Sequence, residues 1–308
     1  MKAISVILPC FNESKNLSPL TKLIIKKIPT KYKYEIIIVD DGSSDNSVAS
    51  IRELCSKNKK IKGVLFHRNF GQQAALKAGV DNSRGDAVIT MDSDFQHPPE
   101  IIPIFIKRWE EGFDLVLGRK IDDKTASIFH KLMRQIGYKL WDVLTNNIIP
   151  PYVSEFRLMD KSVASYIKSV DEKEPFLRGL VSLFAKKQAI VPYKVGSRIH
   201  GKSNYSTRTL VITFLNGVIS FSATPLRIGW IIGLVISICS GVYIFLDTAI
   251  AILSNRPIVE GWETIVSLNI MFGGFNILYL GIIAEYIGAI FREIKNRPLY
   301  QIHEKLNI

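Results

Sequence analysis

The stretch of sequence that decides the fold runs from Ala87 to Gln96 and reads AVITMDSDFQ. Its first five residues are apolar or β-branched and predict a short buried strand. Asp92 and Asp94 follow directly where that strand ends. A buried strand that finishes in a polar cluster is typical of a parallel α/β sheet, in which ligands bind beyond the carboxyl ends of the strands.

The same pattern recurs along residues 3–118, where short β-branched runs alternate with helical stretches. This alternation predicts an α/β fold with a mostly parallel sheet and flanking helices. The expected strands are Ala3–Leu8, Glu35–Val39, Gly63–Phe66, Ala87–Met91 and Asp114–Leu117. The expected helices are Glu13–Lys27, Asn46–Lys57, Gln72–Asn82 and Pro99–Glu111. Polar clusters follow the first, second and fourth strands, so we expect one polar site at one edge of the sheet.

Composition separates the chain into a basic region and an apolar one. The 308 residues are 47% hydrophobic with a net charge of +12, which excludes a disordered tail, a collagenous fibre and a disulfide mini-protein. The segments Ile228–Leu246 and Thr264–Ala284 carry no charge, and each is long enough to cross a bilayer as a helix. Two transmembrane helices are therefore predicted, with a pair of buried core helices as the alternative.

The distribution of basic residues predicts that both termini are cytoplasmic. Only one basic residue lies in the connector Asp247–Glu263, whereas Arg292, Lys295 and Arg297 follow the second span. The apolar run Leu210–Phe221 is too short to span and is expected to lie along the interface. The segment Thr125–Thr145 is predicted to form a basic amphipathic helix. The helix either rests on anionic lipid headgroups or is an ordinary surface helix, with its apolar side on the core and its charged side in water.

The three cysteines show no metal-binding or disulfide pattern. Cys10, Cys55 and Cys239 lack a CxxC or His-paired spacing. We expect free thiols in a reducing compartment, without a zinc site.

Asp92 and Asp94 are candidate ligands for a divalent cation. In extended geometry, carboxylates at i and i+2 can face the same rim of the sheet, and the pair Asp40–Asp41 ends a neighbouring strand. Carboxylate oxygens suit Mg²⁺ or Mn²⁺, and magnesium is usually bound together with substrate phosphate oxygens. A solvated turn is the alternative interpretation of such a pair.

Several motifs together resemble the glycosyltransferases of family 2 that have the GT-A fold, and more narrowly their polyprenyl-phosphate branch. That branch contains dolichyl-phosphate mannose synthases and bactoprenol glucosyltransferases. The resemblance runs nearly end to end. The matching stretches are Val6–Asn16 (VILPCFNESKN), Val39–Asp45 (VDDGSSD), Arg68–Gly71 (RNFG), Met91–Glu100 (MDSDFQHPPE), Phe156–Asp160 (FRLMD), Phe176–Val181 (FLRGLV), Arg198–Tyr205 (RIHGKSNY), Phe221–Arg227 (FSATPLR) and Glu285–Tyr300 (EYIGAIFREIKNRPLY).

The resemblance implies roles for individual residues. Asp92, Asp94 and Gln96 match the metal side of the family's site, with Asp94 expected to be essential for catalysis. Glu155 and Arg198 match further catalytic positions, although many relatives carry aspartate where this chain has Glu155. The positions matching the nucleotide-sugar pocket are Pro9, Phe11, Glu13, Asp41 and Asp92. The positions expected to bind lipid phosphate or diphosphate are Arg119, Arg134, Arg198 and Lys202.

The resemblance also implies the reaction and its partners. We expect an inverting hexosyl transfer, with glucose from UDP-glucose as the first choice, to undecaprenyl phosphate for glycan or O-antigen modification. Mannose, galactose and N-acetylhexosamine are the alternatives for the transferred sugar. A homo-oligomer is an open alternative for the state of assembly. The expected partners are a nucleotide-sugar donor, polyprenyl phosphate, membrane lipids, a downstream flippase and a lipid-linked sugar transferase, with no nucleic acid.

Two other classes of protein fit the sequence less well. A processive polysaccharide synthase usually has a QxxRW motif, but Phe105 stands where glutamine precedes Arg108–Trp109. A non-catalytic membrane subunit of a glycan export system would not require polar clusters at strand ends. The predicted organisation is a cytoplasmic GT-A domain over 1–206, an interfacial helix and linker over 207–227, two transmembrane helices over 228–292 and a cytoplasmic tail over 293–308, in a bacterial inner membrane.

Overall fold

A computed structural model of the chain describes residues 1–121, 150, 153–173, 175–196, 219, 222–254 and 262–308. The chain divides into two compact units. One comprises Met1–Ser220 together with Asn296–Ile308, and the other comprises Phe221–Lys295.

The first unit is built on a mixed sheet. Its strands in the described residues are β1 (Ala3–Cys10), β2 (Lys33–Asp40), β3 (Ile61–Phe66), β4 (Ala87–Thr90), β5 (Leu115–Lys120), β6 (Val153–Asp160), β7 (Gln188–Tyr193) and β8 (Ile302–Leu306). They lie in the order β7-β5-β6-β4-β1-β2-β3-β8. The five strands predicted from the sequence are all present, with bounds that differ by a few residues.

The pairing of the central strands creates a crevice at one edge of the sheet. Strand β1 is parallel to both β2 and β4, and β2 is parallel to β3. The chain therefore adds strands on one side of β1 up to β3 and then crosses to the other side for β4. Such a change of direction leaves an open crevice between the carboxyl ends of β1 and β4, where ligands bind in open α/β sheets.

Helices connect and cover these strands. The described helices of this unit are α1 (Ser14–Lys27), α2 (Ser47–Lys57), α3 (Gln72–Asp81), α4 (Ile102–Glu110), α5 (Lys161–Ser169) and α6 (Leu177–Phe184). Each buries one apolar face, as Leu17, Leu20 and Ile24 of α1 show at helical spacing. The first four correspond to the predicted helices.

Strand β6 runs against its neighbours. It is antiparallel to both β4 and β5, with Thr90 opposite Arg157 and Arg119 opposite Val153. Because of this direction the beginning of β6, including Glu155, lies at the edge where β4 and β5 end.

The C-terminal segment is a strand of the same sheet. Strand β8 pairs antiparallel with β3, and the ring of Tyr300 stacks on Phe66 with centroids 5.2 Å apart. Asn307 Nδ2 donates hydrogen bonds of 2.8 Å to the carbonyls of Cys55 and Ile61. The sequence predicted a cytoplasmic tail over 293–308, and in the structure Asn296–Ile308 belongs to the unit that contains the sheet.

The second unit contains two long apolar helices, α7 (Thr224–Ser254) and α8 (Trp262–Ile294). Within them Thr224–Tyr243 and Leu268–Ile294 are long and apolar enough to cross a membrane, and they are almost entirely unburied. Helix α7 begins before the predicted span and continues past Leu246. The hydroxyl of Tyr279 donates to the carbonyl of Leu226 at 3.0 Å, which links the two helices.

Some predicted features fall outside the described residues. These are the basic amphipathic segment Thr125–Thr145, nearly all of the interfacial segment Leu210–Phe221, and the middle of the connector between the long helices. The three cysteines are free thiols, with Cys10 and Cys55 buried and Cys239 exposed.

Candidate active site

The crevice between β1 and β4 brings two of the predicted polar clusters together. The hydroxyl of Ser93 donates to the carbonyl of Pro9 at 2.8 Å, and the amide of Met91 donates to the carbonyl of Ile7 at 3.1 Å. The loop that carries Asp92 and Asp94 is therefore fixed directly beside the end of β1. Both aspartates lie at the edge of the sheet where the sequence placed them.

Hydrogen bonds hold the loop after β4 in one conformation. Asp92 Oδ1 accepts from Gln72 Nε2 at 2.7 Å, and the Asp92 amide donates to His97 Nδ1 at 2.9 Å. Asp94 Oδ1 accepts from the amide of Gln96 at 3.0 Å, and Phe95 between them has a positive φ of 66°. The loop turns back on itself so that Asp94 and the Gln96 backbone are adjacent.

The charge around Asp92 favours binding of a cation. Removal from water is the main cause that raises the pKa of Asp92, and the nearby carboxylates of Asp94 and Glu155 raise it further. A divalent cation would relieve this repulsion. Asp92, Asp94 and the side-chain oxygen of Gln96 offer hard oxygen atoms, which fit Mg²⁺ or Mn²⁺.

Substrate oxygens would have to complete the coordination of such an ion. In the part of the chain that the structure describes, no group of three His, Cys, Asp or Glu side chains could hold a metal ion. A magnesium site made of one or two carboxylates plus substrate phosphates has this character.

Asp41, which the sequence predicts for the nucleotide pocket, accepts hydrogen bonds from a neighbouring loop. Its carboxylate is buried and accepts hydrogen bonds from the amides of Phe70 at 2.6 Å and Gly71 at 2.9 Å. Gly42 lies against this loop with a φ of 70°, and a Cβ there would come within 2.4 Å of the Arg68 carbonyl carbon. Asp41 thus anchors the loop Arg68–Gly71.

The neighbouring Asp40 is a second candidate for contact with a ligand. Its Oδ2 accepts from the Ser43 amide at 3.0 Å, whereas its buried Oδ1 has no hydrogen-bond partner in the structure. The sequence analysis assigned Asp41 to the nucleotide pocket from its match to the family motif, and that role stays a prediction.

The remaining residues predicted for the nucleotide pocket lie at the end of β1 and on the loop after it. Pro9 is buried within β1, and Phe11 is exposed just beyond the end of the strand. Glu13 begins α1, where its amide donates to Ser47 Oγ at 3.0 Å and its Oε2 accepts from Asn16 at 2.5 Å. The loop lies at the crevice, and the Phe11 ring is its exposed apolar surface.

Glu155 lies in a buried ionic cluster. Its carboxylate pairs with Arg157, accepts from Arg178 Nη2 at 3.1 Å and accepts from Gln73 Nε2 at 3.3 Å. Burial would raise the pKa of Glu155, but the two guanidinium groups outweigh it and lower the pKa to about 2. Glu155 is therefore ionised at neutral pH and is a weak proton acceptor.

The predicted phosphate-binding residues are only partly described. Arg119 lies at the exposed end of β5, opposite Val153, on the same edge of the sheet as Glu155. Arg134, Arg198 and Lys202 lie outside the described residues. Their expected contacts stay predictions.

Sequence reasoning missed several residues that the fold brings to the site. Gln72 and Gln73 start α3, His97 lies under the aspartate loop, and Arg157 and Arg178 flank Glu155. The motifs FRLMD and FLRGLV contain the two arginines, but the sequence does not show that both contact one carboxylate.

The fold and site define a class of protein. An open α/β sheet with a DxD loop and several acidic side chains at its switch point is suited to a nucleotide-bearing, metal-bound substrate. The profile of the family described as Glycosyl transferase family 2 matches residues 5–167. The chain belongs to this family, and it is a glycosyltransferase with a GT-A-type domain.

Relatives match over nearly the whole chain. An uncharacterized glycosyltransferase, YkcC, of Bacillus subtilis is 34% identical and covers 99% of this chain and 94% of its own length. The SfII prophage-derived bactoprenol glucosyl transferase of Shigella flexneri is 34% identical and covers 97% of each chain. A prophage bactoprenol glucosyl transferase homolog of Escherichia coli is 35% identical, covering 97% of this chain and 98% of its own.

Proposed function

We propose that the protein transfers glucose from UDP-glucose to polyprenyl phosphate, with inversion at the anomeric carbon. The observation that carries this proposal is the match to bactoprenol glucosyl transferases over 97% of the chain, which includes the two apolar helices. A lipid acceptor requires the active site to work at a membrane, and α7 and α8 supply an anchor of suitable length.

The donor would occupy the crevice between β1 and β4. In this proposal Phe11 contacts the nucleobase, Asp40 accepts a hydrogen bond from the nucleoside, and Asp92, Asp94 and Gln96 hold the cation. When bound, Mg²⁺ or Mn²⁺ would act as a Lewis acid toward the departing diphosphate. The hydrogen bond from Gln72 holds the Asp92 carboxylate, and the bond to His97 holds its backbone amide.

The acceptor needs little help from a general base. A phosphate monoester has a second pKa of about 6, so its oxygen is already largely ionised at neutral pH. The protein then has to place that oxygen behind the anomeric carbon and exclude water. The low pKa of Glu155 agrees with this requirement, because its carboxylate holds arginine side chains in place and does not have to take up a proton.

The proposed location is a bacterial inner membrane, with the sheet domain facing the cytoplasm where nucleotide sugars are made available. The cytoplasmic basic segments would then contact anionic lipid headgroups. Cytoplasmic thiols stay reduced, which agrees with three free cysteines.

The test is transfer of labelled sugar to undecaprenyl phosphate by detergent-purified protein. A panel of UDP-glucose, UDP-galactose, UDP-N-acetylglucosamine and GDP-mannose is supplied, each with Mg²⁺, with Mn²⁺ and with a chelator. We expect label in the lipid phase from UDP-glucose only when metal is present. Transfer from another donor would correct the sugar, and no transfer from any donor would contradict the proposal.

Asp94→Ala tests the metal side of the site in the same assay. Because Asp94 is expected to hold the cation, we expect kcat/KM to fall by about 100-fold or more, with an unchanged melting temperature. Asp171→Ala is the matched control, since Asp171 is exposed and pairs only with Lys173 among the described contacts. Substantial residual activity in Asp94→Ala would exclude the metal role.

A further inference from the structure

The cluster around Glu155 carries more positive than negative charge. One carboxylate is shared by two guanidinium groups, those of Arg157 and Arg178. Arginine keeps its charge under all ordinary conditions. The three side chains together therefore carry one net positive charge, and Asp92 is a further acid close enough to act electrostatically on Arg157.

The two arginines occupy different environments. The Arg157 side chain is 1% exposed, and its Nε and Nη1 groups have no hydrogen-bond partner in the structure. The Arg178 side chain is 34% exposed, and its Nε is buried without a hydrogen-bond partner. Arg157 thus pairs with Glu155 from inside, while Arg178 pairs with the same carboxylate and is partly exposed at the surface.

Unused guanidinium donors in a buried setting favour an anionic ligand. Leaving a buried donor unpaired is unfavourable, and the penalty is larger for a charged group. A guanidinium group matches the geometry of phosphate oxygens and can bind them through two parallel hydrogen bonds. Glu155 accepts from both Gln73 Nε2 and Arg178 Nη2, so its carboxylate holds this fork in place before any ligand arrives.

The order of the strands indicates whether Arg178 lies nearer the donor diphosphate or the acceptor phosphate. Along the sheet edge β2, β1, β4 and β6 follow one another, so Asp40, Asp92 and Glu155 lie in that sequence. The proposed nucleoside contacts are at β1 and β2, and the proposed cation is at β4. Glu155 on β6, with Arg178 beside it, lies beyond the cation, on the side away from the nucleoside.

We infer that Arg178 binds the phosphate of the acceptor. Glu155 orients the Arg178 guanidinium group, and the buried positive charge of Arg157 adds to the attraction for the phosphate. This inference rests on the proposed function, and it adds a phosphate-binding residue to Arg119, Arg134, Arg198 and Lys202. The donor diphosphate has its charge balanced by the cation, whereas the acceptor phosphate brings about two further negative charges to the same edge.

The experiment compares Arg178→Gln, Arg178→Lys and the wild-type protein in detergent. KM is measured for undecaprenyl phosphate and for the nucleotide sugar separately. For Arg178→Gln we expect KM for the acceptor to rise by about 10- to 100-fold while KM for the donor changes by less than about threefold. Arg178→Lys keeps the charge but lacks the fork, so its acceptor KM should lie between the two.

A matched control and a binding measurement make the outcome decisive. Arg108→Gln removes an exposed arginine on α4 that pairs with Glu111, and it should leave both KM values unchanged. Binding of farnesyl phosphate, a short soluble monoester, is measured by calorimetry for each variant. We expect at least tenfold weaker binding for Arg178→Gln.

The possible failures can be told apart. If wild-type protein transfers sugar to no polyprenyl phosphate, the proposed function fails, and the farnesyl phosphate titration still decides whether Arg178 binds a phosphate monoester. If Arg178→Gln raises KM only for the donor, the residue serves the diphosphate and the inference is wrong. Unchanged KM values and unchanged binding in Arg178→Gln would also overturn it. Should Arg178→Gln not fold, Arg178→Lys provides the same comparison.

Discussion

His97 is buried against the loop after β4 that carries Asp92 and Asp94. Its side chain is fully buried, and its Nδ1 accepts the hydrogen bond from the Asp92 amide. The ring stacks on Phe156 at 5.0 Å and meets the edge of Tyr193 at 5.8 Å. Burial lowers the pKa of His97, so the ring is neutral and can accept at Nδ1. The residue joins the loop after β4 to the core beneath β6.

Replacing His97 should therefore change how the site binds its cation. His97→Leu leaves the Asp92 amide unpaired, which costs about 1–3 kcal/mol and frees the loop. We expect the metal concentration for half-maximal activity to rise by about tenfold. His97→Asn places an acceptor oxygen near the position of Nδ1 and should restore much of the metal affinity.

The measurement is a titration of transferase activity with Mn²⁺ and Mg²⁺ for both variants, together with their melting temperatures. A purely structural role would lower the melting temperature of both variants without shifting the metal titration. That result would exclude a positioning role for His97.

At the scale of elements, β8 covers an edge of the sheet that would otherwise be open. Exposed edges pair with other chains, and proteins commonly cover them. Tyr300 precedes β8, stacks on Phe66, and donates from its hydroxyl to Asp81 Oδ2 at 2.8 Å. Leu306 lies close to Gly63 on β3, where a larger residue would be crowded.

Removing the Tyr300 side chain should loosen this edge. Tyr300→Ala loses a stacked ring and a hydrogen bond, which we expect to cost about 2–4 kcal/mol. In a unit of this size the melting temperature should fall by roughly 5–15 °C. Lys305→Ala, on β8 with an exposed side chain, is the matched control and should shift it by about 2 °C or less.

The test is thermal unfolding of the detergent-purified proteins, followed by circular dichroism and aggregation. Equal melting temperatures for Tyr300→Ala and wild type would show that β8 contributes little to the stability of the sheet.

At the scale of the whole molecule, the pairing of β8 with β3 restricts how the chain can cross a membrane. Strand β3 precedes α7 in the sequence, and β8 follows α8. Because both strands belong to one sheet, the chain must return to the side from which it started. If α7 and α8 both span the bilayer, they form a hairpin whose connector lies on the opposite side.

We therefore expect tags at the two ends of the chain to behave alike in cells. In right-side-out vesicles, protease should leave an N-terminal and a C-terminal tag intact and should cleave a site inserted at 255–261. In inside-out vesicles the pattern should reverse. Tags on opposite faces would contradict the hairpin, because β8 could not then pair with β3 in the same chain.

The sequence by itself determined the elements that depend on local pattern. Strands β1 to β5 follow from β-branched runs and α1 to α4 from helical spacing, and α7 and α8 follow from long uncharged stretches. The position of Asp92 and Asp94 at the sheet edge was also predictable. In a parallel sheet the residue that follows a strand has to lie there.

Only the tertiary structure decided which polar groups engage each other. Asp41 anchors a loop while Asp40 keeps an unpaired oxygen, Glu155 is shared by Arg157 and Arg178, and β8 completes the sheet beside β3. Most of these partners are separated by tens or hundreds of residues. The sequence around a polar residue therefore does not indicate which distant residue it will contact. The choice is made by packing and by the need to pair buried polar groups, and both arise only when the chain has folded.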